Sequence, residues 1–204
     1  MRSLDIVANT PLKGLENLDL LEVSMADEMR CWERNLAQPL RFENFNYLEN
    51  NPHVQGLASL FSQLNSKAQE YAEKIDRVLV PSLAGEQLVH TDLRADNLLI
   101  SPENQGILID WPWACKGAAF FDAASVIVDV LATGGTYKPE RIAQSSEVLS
   151  STSSELIDLV IIAFTGYYLY AAQQPPHADT HSFLPAFRAQ RAWHLASWVL
   201  DNGI

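Results

Sequence analysis

The most informative stretch of this chain reads HTDLRADN at residues 90–97 and continues, after a short turn, as ILIDW at residues 107–111. It contains the pattern H-x-D-x-x-x-x-N, followed by an Asp that closes an apolar run. Phosphoryl transfer needs a group that accepts a proton from the attacking hydroxyl, and oxygen ligands for the magnesium that neutralises the phosphates. The pattern offers both kinds of group in order, so it predicts a phosphoryl-transfer site.

Each polar residue of the stretch has an expected role. Asp92 lies in a turn before a strand, where its carboxylate can reach an incoming hydroxyl. Asn97 offers an amide oxygen to a hard cation, and the pairing of two hairpin strands should bring Asp110 back beside it. Magnesium takes few protein carboxylates and keeps sites for phosphate oxygens and water, which suits this pair. We expect His90 to be structural, with its ring bonded to backbone near the second loop.

Other interpretations of these residue types carry less weight. An Asp in a loop is most often a turn former or a helix cap, and a single H-x-D would say little. The ordered combination of His, Asp, Asn, hairpin and second Asp is far more specific. A second pattern, HADTH at residues 177–181, follows two prolines and lacks an adjacent Glu, so we interpret it as a loop with two exposed histidines rather than a metal site.

The apolar periodicity predicts a mainly helical chain with one hairpin. Predicted helices cover residues 17–36, 54–78, 121–131, 156–172 and 183–200, with a capping box at Thr152–Glu155. Predicted hairpin strands are Leu98–Ile100 and Ile107–Ile109, and a polar connector occupies residues 38–52. Residues 1–11 have no clear pattern and are expected to be irregular. The fold class is therefore α+β, mainly α, as one domain over residues 1–204, with a small β-hairpin carrying the site.

Composition limits the classes of partner. The net charge of −11 and the scattered arginines and lysines argue against nucleic acid, because phosphate backbones require basic clusters. The two cysteines have no metal or disulfide spacing, which indicates reduced thiols in a cytoplasmic protein. The apolar run at 156–172 is interrupted by polar residues and is expected to be a buried helix, so no membrane partner is predicted.

The stretch resembles the catalytic region of the aminoglycoside phosphotransferase and choline kinase-like families, which share the protein-kinase fold. HTDLRADN is similar to their H-G-D-L-x-x-x-N, and the I-D-W at 109–111 and the D-A-A at 122–124 are similar to the motifs that follow. The resemblance covers roughly residues 50–204 and implies that Asp92 is the catalytic base. It implies that Asn97 and Asp110 bind Mg²⁺, with ATP as co-substrate, and that Asp122 is a structural acid anchoring the next helix.

Two departures from the family pattern stand out. Thr91 replaces the usual Gly of the motif, so the loop is expected to turn differently. The glycine-rich loop and strand lysine of the nucleotide-binding lobe are also missing from the sequence, which has no GxG before the motif. We therefore expect only the C-terminal lobe of the fold, with residues 1–14 as the remnant of a hinge and the N-terminal lobe absent.

The sequence thus predicts an ATP- and Mg²⁺-dependent phosphotransferase that moves a phosphoryl group to the hydroxyl of a small molecule, or the catalytic lobe of one. The alternative is a truncated, non-catalytic remnant that acts as a binding module. A third option is a split enzyme whose nucleotide lobe comes from another chain. The preserved Asp92, Asn97 and Asp110 favour the first interpretation, and the missing lobe favours the second.

Overall fold

A computed structural model describes residues 1–38, 56–174 and 183–204 of the chain. Its α-helices are α1 (Arg2–Ala8), α2 (Leu21–Ser24), α3 (Ala26–Met29), α4 (Cys31–Ala37), α5 (Leu57–Asn65), α6 (Ala68–Lys74), α7 (Val80–Ser82), α8 (Phe120–Ala132), α9 (Pro139–Ala143), α10 (Glu147–Ser150), α11 (Ser154–Ala172) and α12 (Leu184–Asn202). Its strands are β1 (Asp19–Leu20), β2 (Gln87–Val89), β3 (Leu98–Ile100), β4 (Gly106–Leu108) and β5 (Cys115–Gly117). The predicted class, α+β and mainly α, is confirmed.

The core is built around α11, which packs against α4, α8 and α12. This helix is long and apolar enough to cross a membrane by length and composition, yet two thirds of its apolar window is buried inside the protein. A helix that is apolar on all sides is typical of the centre of a core. The expectation of a buried helix at residues 156–172 is confirmed.

A close contact between α4 and α11 depends on a glycine. The Trp32 indole N–H donates to the Ile162 carbonyl at 2.8 Å, and the Asn35 amide donates to the Gly166 carbonyl at 2.9 Å. A Cβ atom on Gly166 would lie 2.6 Å from the Trp32 ring. The absence of a side chain at Gly166 therefore allows the fully buried Trp32 to lie on the backbone of α11.

The motif residues lie in the loops that follow strands of two small sheets. In the first sheet, β5 lies between β1, which is parallel to it, and β2, which is antiparallel and pairs Leu88 with Lys116. The second sheet is the predicted hairpin, in which β3 and β4 pair Leu99 with Ile107. Strands β1 and β5 were not predicted, because segments of two or three residues are too short to show an alternating pattern.

The two N-terminal helix predictions were wrong, because neither segment forms one continuous helix. Residues 17–36 form a strand and three short helices rather than one helix. The helix predicted over residues 54–78 is described from Leu57, breaks between Asn65 and Ala68, and continues after α6 as a π-helical turn at Ile75–Leu79. Pro81 lies in the last helical turn, just after the π-helical turn. Because a proline has no N–H to donate, the regular α-helical hydrogen bonding is interrupted near it.

Smaller corrections concern the two ends of the described chain and one cap. Residues 2–8 are helical rather than irregular, and Ser3 Oγ of this helix donates to the Gly106 carbonyl of the hairpin at 2.7 Å. The cap of α11 is Ser153, whose hydroxyl accepts from the Leu156 N–H, so the predicted capping box was placed one residue early. The connector at residues 38–52, beyond Gln38, and the HADTH pattern at 177–181 lie outside the described residues.

Candidate active site

The buried carboxylate of Asp122 fixes the loop that follows β2. Asp122, in the first turn of α8, accepts hydrogen bonds from the backbone N–H groups of His90 at 2.7 Å and Thr91 at 3.0 Å. Burial raises the pKa of Asp122 to about 6, while the two N–H donors act in the opposite direction because they favour the ionised carboxylate. Asp122 thus connects the start of α8 to the motif loop.

The departure at Thr91 falls on an unusual backbone conformation. Thr91 has φ = 70°, in the left-handed region where β-branched residues are rare. The residue is held there by the Asp122 bond to its N–H and by its own hydroxyl, which donates to the Trp113 carbonyl at 2.9 Å. The loop therefore keeps a turn that suits the glycine of the family pattern, and the surrounding contacts offset the strain of Thr91.

His90 joins the motif loop to the far end of the hairpin. Its side chain is fully buried, and its Nε2–H donates to the Ile109 carbonyl at 2.8 Å. Its ring lies 4.5 Å from the Trp111 ring, measured between centroids. These contacts fix the backbone on both sides of Asp110.

Asp92 and Asn97 are in direct contact. The Asn97 amide nitrogen donates to the Asp92 backbone carbonyl at 2.8 Å and to Asp92 Oδ2 at 3.1 Å. Both partners are acceptors, so the contact fixes which end of the Asn97 amide carries the nitrogen. The amide oxygen of Asn97 is consequently the atom left for a cation.

The hairpin brings Asp110 to the neighbourhood of Asn97. The Ile109 N–H donates to the Asn97 carbonyl at 3.1 Å, which extends the β3–β4 pairing by one step toward the site. Asp110 follows with φ = 64°, and its exposed carboxylate has no hydrogen bond or ion pair within the described part of the chain. Asp110 and Asn97 therefore both offer a free oxygen, as a magnesium bound mainly to phosphates requires.

No group of three His, Cys, Asp or Glu side chains that could hold a metal by themselves occurs in residues 1–38, 56–174 and 183–204. A magnesium ion that bridges phosphates does not need such a group, because one or two protein oxygens suffice. The residues present therefore fit a metal that arrives with a nucleotide rather than a permanently bound metal.

Arg94 was not expected to take part in the site. Its guanidinium lies 3.1 Å from Asp92 Oδ1 and forms a two-bond contact with Asp96, with both distances at 3.0 Å. The Asp96 contact raises the pKa of Arg94, and the Arg94 contact lowers the pKa of Asp96. The signal was available in the sequence, because Arg94 is a lone basic residue two positions after Asp92.

A buried ion pair lies beneath the loop and was also missed. Asp129 Oδ2 accepts from the Ala95 N–H at 3.0 Å, and Asp129 Oδ1 lies 2.6 Å from Arg191 on α12. Arg191 stacks over the Phe187 ring at 4.5 Å. The available signals were weak: Asp129 is two helical turns after Asp122, and Arg191 is a single charge in an apolar helical stripe.

A small cavity of about 30 Å³ opens beside Asp92, between the motif loop and the helices α8, α11 and α12. It is lined by Thr91, Asp92, Leu93, Arg94, Ser125, Val128, Asp129, Phe164, Tyr168 and Arg191. The aromatic residues that follow the motif in the sequence do not line this cavity: Phe120 and Phe121 are buried in the core, and Trp113 is 70% exposed. The aromatic wall comes from α11 instead.

Lys116 is the first basic residue after Asp110 in the sequence. It lies in β5 and pairs with Glu86, with its amine nitrogen 3.2 Å from either carboxylate oxygen. Among the described residues, Arg94 is the basic side chain that contacts Asp92.

Comparison with known proteins identifies the family of the chain. The sequence matches the phosphotransferase enzyme family over residues 20–149, which is more than half of the chain. The matched segment includes the motif loop, the hairpin and α8, and it ends before α11 and α12. No curated protein and no solved structure matches the chain. The resemblance found in the sequence motifs is confirmed, and the chain belongs to the phosphotransferase enzyme family.

Proposed function

We propose that this chain carries the acceptor-activating and magnesium-binding half of an ATP-dependent small-molecule phosphotransferase. The observation that carries the proposal is a pair of contacts made by Asn97. Its side chain contacts Asp92, and its backbone pairs with Ile109, the residue before Asp110. One loop and one hairpin thus gather a base and two metal-binding oxygens. This is the set of protein groups that phosphoryl transfer requires.

In this proposal Asp92 accepts the proton of the acceptor hydroxyl. Its carboxylate lines the cavity beside the loop, so a hydroxyl placed there is within reach of the base. The Asn97 amide and the Arg94 guanidinium hold the two carboxylate oxygens from the other sides. These contacts fix the orientation of the Asp92 carboxylate toward the acceptor.

Asn97 and Asp110 would hold Mg²⁺ through the amide oxygen and the free carboxylate. When bound, the ion would neutralise the charge of the transferring phosphates. His90 fixes the backbone before Asp110 through the Ile109 carbonyl, so the orientation of the proposed ligand depends on a buried ring. Asp122 has the corresponding role on the side of Asp92, because it holds the backbone of residues 90 and 91.

We place the contact with a nucleotide-binding lobe on the outer face of the hairpin. Leu99 and Ile107 are cross-strand partners whose side chains share one face of the hairpin, and both are about half exposed. Exposed apolar patches of this kind mark interaction surfaces. Such a lobe would supply the glycine-rich phosphate loop that these 204 residues lack. We further propose that the acidic chain acts in the cytoplasm on a small molecule, with neither nucleic acid nor membrane as partner.

The test measures binding of ATP to this chain by calorimetry, with and without Mg²⁺. We expect Mg²⁺-dependent binding that Asp110→Asn and Asn97→Ala weaken by about tenfold or more, the effect of losing one charge-assisted contact. Asp92→Asn should retain this binding, because Asp92 is the proposed base and not a proposed Mg²⁺ ligand. Glu103→Gln, an exposed carboxylate in the turn of the same hairpin, is the matched control and should also leave it unchanged.

Failure to bind ATP at millimolar concentration would contradict the claim that these residues form the magnesium half of the site by themselves. Mg²⁺-independent binding that is insensitive to Asp110→Asn would do the same. Either result would favour the non-catalytic binding module.

A further inference from the structure

We propose that the acceptor is a neutral compound with several hydroxyl groups, a polyol or a sugar, and that the cavity beside Asp92 receives one of its hydroxyls. This inference rests on the proposed phosphotransferase function and names its substrate class. The cavity is formed by the motif loop, α8, α11 and α12. The side chains contributed by α11 and α12 lie outside the segment that matches the family.

The size of the cavity limits what it can accept. A volume of about 30 Å³ corresponds to one or two water-sized groups. A whole acceptor does not fit, but a single hydroxyl group does. Because Asp92 lines the same cavity, a hydroxyl on a neighbouring carbon of the same molecule would lie near the base.

The charges of the cavity are balanced. Four charged side chains line it, two acidic and two basic, and they are paired: Arg94 with Asp92 at 3.1 Å, and Arg191 with Asp129 at 2.6 Å. A pocket that selects a cation needs carboxylates without such partners. The whole chain has a net charge of −11, but the charged side chains that line this cavity among the described residues have no net charge.

The hydrogen-bonding groups of the cavity fit a hydroxyl in particular. Tyr168 accepts a hydrogen bond from Arg191 Nη1 at 3.5 Å, and the proton of its own hydroxyl has no acceptor among the described residues, so this hydroxyl is an available donor. The Asp129 carboxylate, in the same cavity lining, accepts from Ala95 and Arg191 and can accept one more bond. A hydroxyl can accept from the first group and donate to the second. An ammonium group cannot accept, and a carboxylate cannot donate.

The remaining wall suits the carbon skeleton of such a compound. Phe164 and Tyr168 stack with their ring centroids 6.3 Å apart, and Val128 completes the apolar side. Apolar and aromatic faces with a few fixed polar groups are the usual lining of small-molecule sites. A polyol or sugar presents both kinds of surface.

The experiment is saturation-transfer-difference NMR on the full chain, without nucleotide, with probes at millimolar concentration. The neutral probes are D-ribose, D-glucose and myo-inositol, the cationic probes are choline and kanamycin, and the anionic probe is D-glycerate. We expect saturation transfer to at least one neutral probe and none to the cationic or anionic probes. Binding of a cationic or anionic probe in preference to all neutral probes would overturn the proposal, and so would binding of none.

Two variants test whether the cavity is the binding site. Val128→Leu adds one methylene group to the cavity wall and should abolish binding of the neutral probe. Val126→Leu makes the same change on the same helix at a half-buried residue outside the cavity lining, and should leave binding unchanged. Equal binding by Val128→Leu and the wild-type chain would overturn the placement.

Tyr168→Phe keeps the ring and removes the hydroxyl donor. We expect the neutral probe to bind about tenfold more weakly, the upper end of the loss associated with one hydrogen bond. If this variant does not fold, the Val128→Leu and Val126→Leu pair still decides the question. Because the measurement contains no nucleotide, failure of probe binding is distinguishable from failure of Mg²⁺-dependent ATP binding.

Discussion

Asn97 donates its side-chain amide to Asp92 at two atoms, the backbone carbonyl at 2.8 Å and the carboxylate oxygen Oδ2 at 3.1 Å. The candidate base and one candidate magnesium ligand therefore position each other before any ligand arrives. The five-residue spacing of the motif closes a loop through this contact, and the same contact leaves the Asn97 amide oxygen as the atom available to a cation.

Asn97→Ala and Asp110→Asn should separate structural from ligand-binding roles. Asn97→Ala removes two hydrogen bonds of a buried side chain and should lower the free energy of unfolding by about 1–3 kcal/mol. Asp110→Asn should lower it by less than about 0.5 kcal/mol, because its exposed carboxylate makes no contact within the described residues. Urea unfolding of both variants checks this, and a larger loss for Asp110→Asn than for Asn97→Ala would contradict it.

Thr91 should be better replaced by Gly than by Ala. Both variants lose the hydrogen bond from the Thr91 hydroxyl to the Trp113 carbonyl, but only Ala retains a Cβ atom at φ = 70°. The left-handed conformation costs an L-residue about 1–2 kcal/mol, so Thr91→Gly should be more stable than Thr91→Ala by about 1 kcal/mol. Chemical unfolding of the two variants measures this difference. Greater stability of Thr91→Ala would show that the loop is not strained there.

The contribution of Asp122 to stability should depend on pH. Its pKa rises from the ordinary value of 3.8 to about 6 on folding, so the folded state holds a proton that the unfolded state has lost over this range. The associated stabilisation is complete below about pH 4 and is lost as the pH rises through 6, and it amounts to at most about 3 kcal/mol. The stability advantage of the wild-type chain over Asp122→Asn should therefore shrink between pH 4 and pH 7.

Urea titrations of both proteins at several pH values check this expectation. Asp122→Asn is the matched variant because it keeps the shape of the side chain and removes the titration. An advantage that stays constant or grows over this range would contradict the raised pKa.

Breaking the buried pair of Arg191 and Asp129 should be costly. Arg191→Ala leaves the Asp129 carboxylate without the guanidinium that lies 2.6 Å from it. Arg191 is only 5% exposed, and removing one partner of a buried pair costs about 3–5 kcal/mol. Lys74→Ala removes an exposed helical pair with Glu70 and should cost no more than about 0.5 kcal/mol. Thermal unfolding compares them. Similar losses would mean that the Asp129 carboxylate is solvated.

Much of the fold was accessible from periodicity, and the limits have physical reasons. Helices α8, α11 and α12 and the hairpin were predicted to within a few residues, because their apolar runs are long or are separated by a Pro/Asn/Gly turn. The stripe from Leu57 to Ile75 is buried as expected, but the chain forms it with separate helices. The periodicity of apolar residues predicts which side chains are buried, but it does not predict where the backbone hydrogen bonding of a helix is interrupted.

The sequence by itself determined the family of the chain and which residues form the candidate site: Asp92, Asn97 and Asp110 are placed by local spacing on one loop and one hairpin, and Asp122 follows them. Only the tertiary structure decided what surrounds them. The ion pair of Asp129 with Arg191 joins residues 62 positions apart, and the cavity wall comes from α11 and α12. Local spacing fixes contacts across a turn, whereas contacts between distant segments depend on how the helices pack.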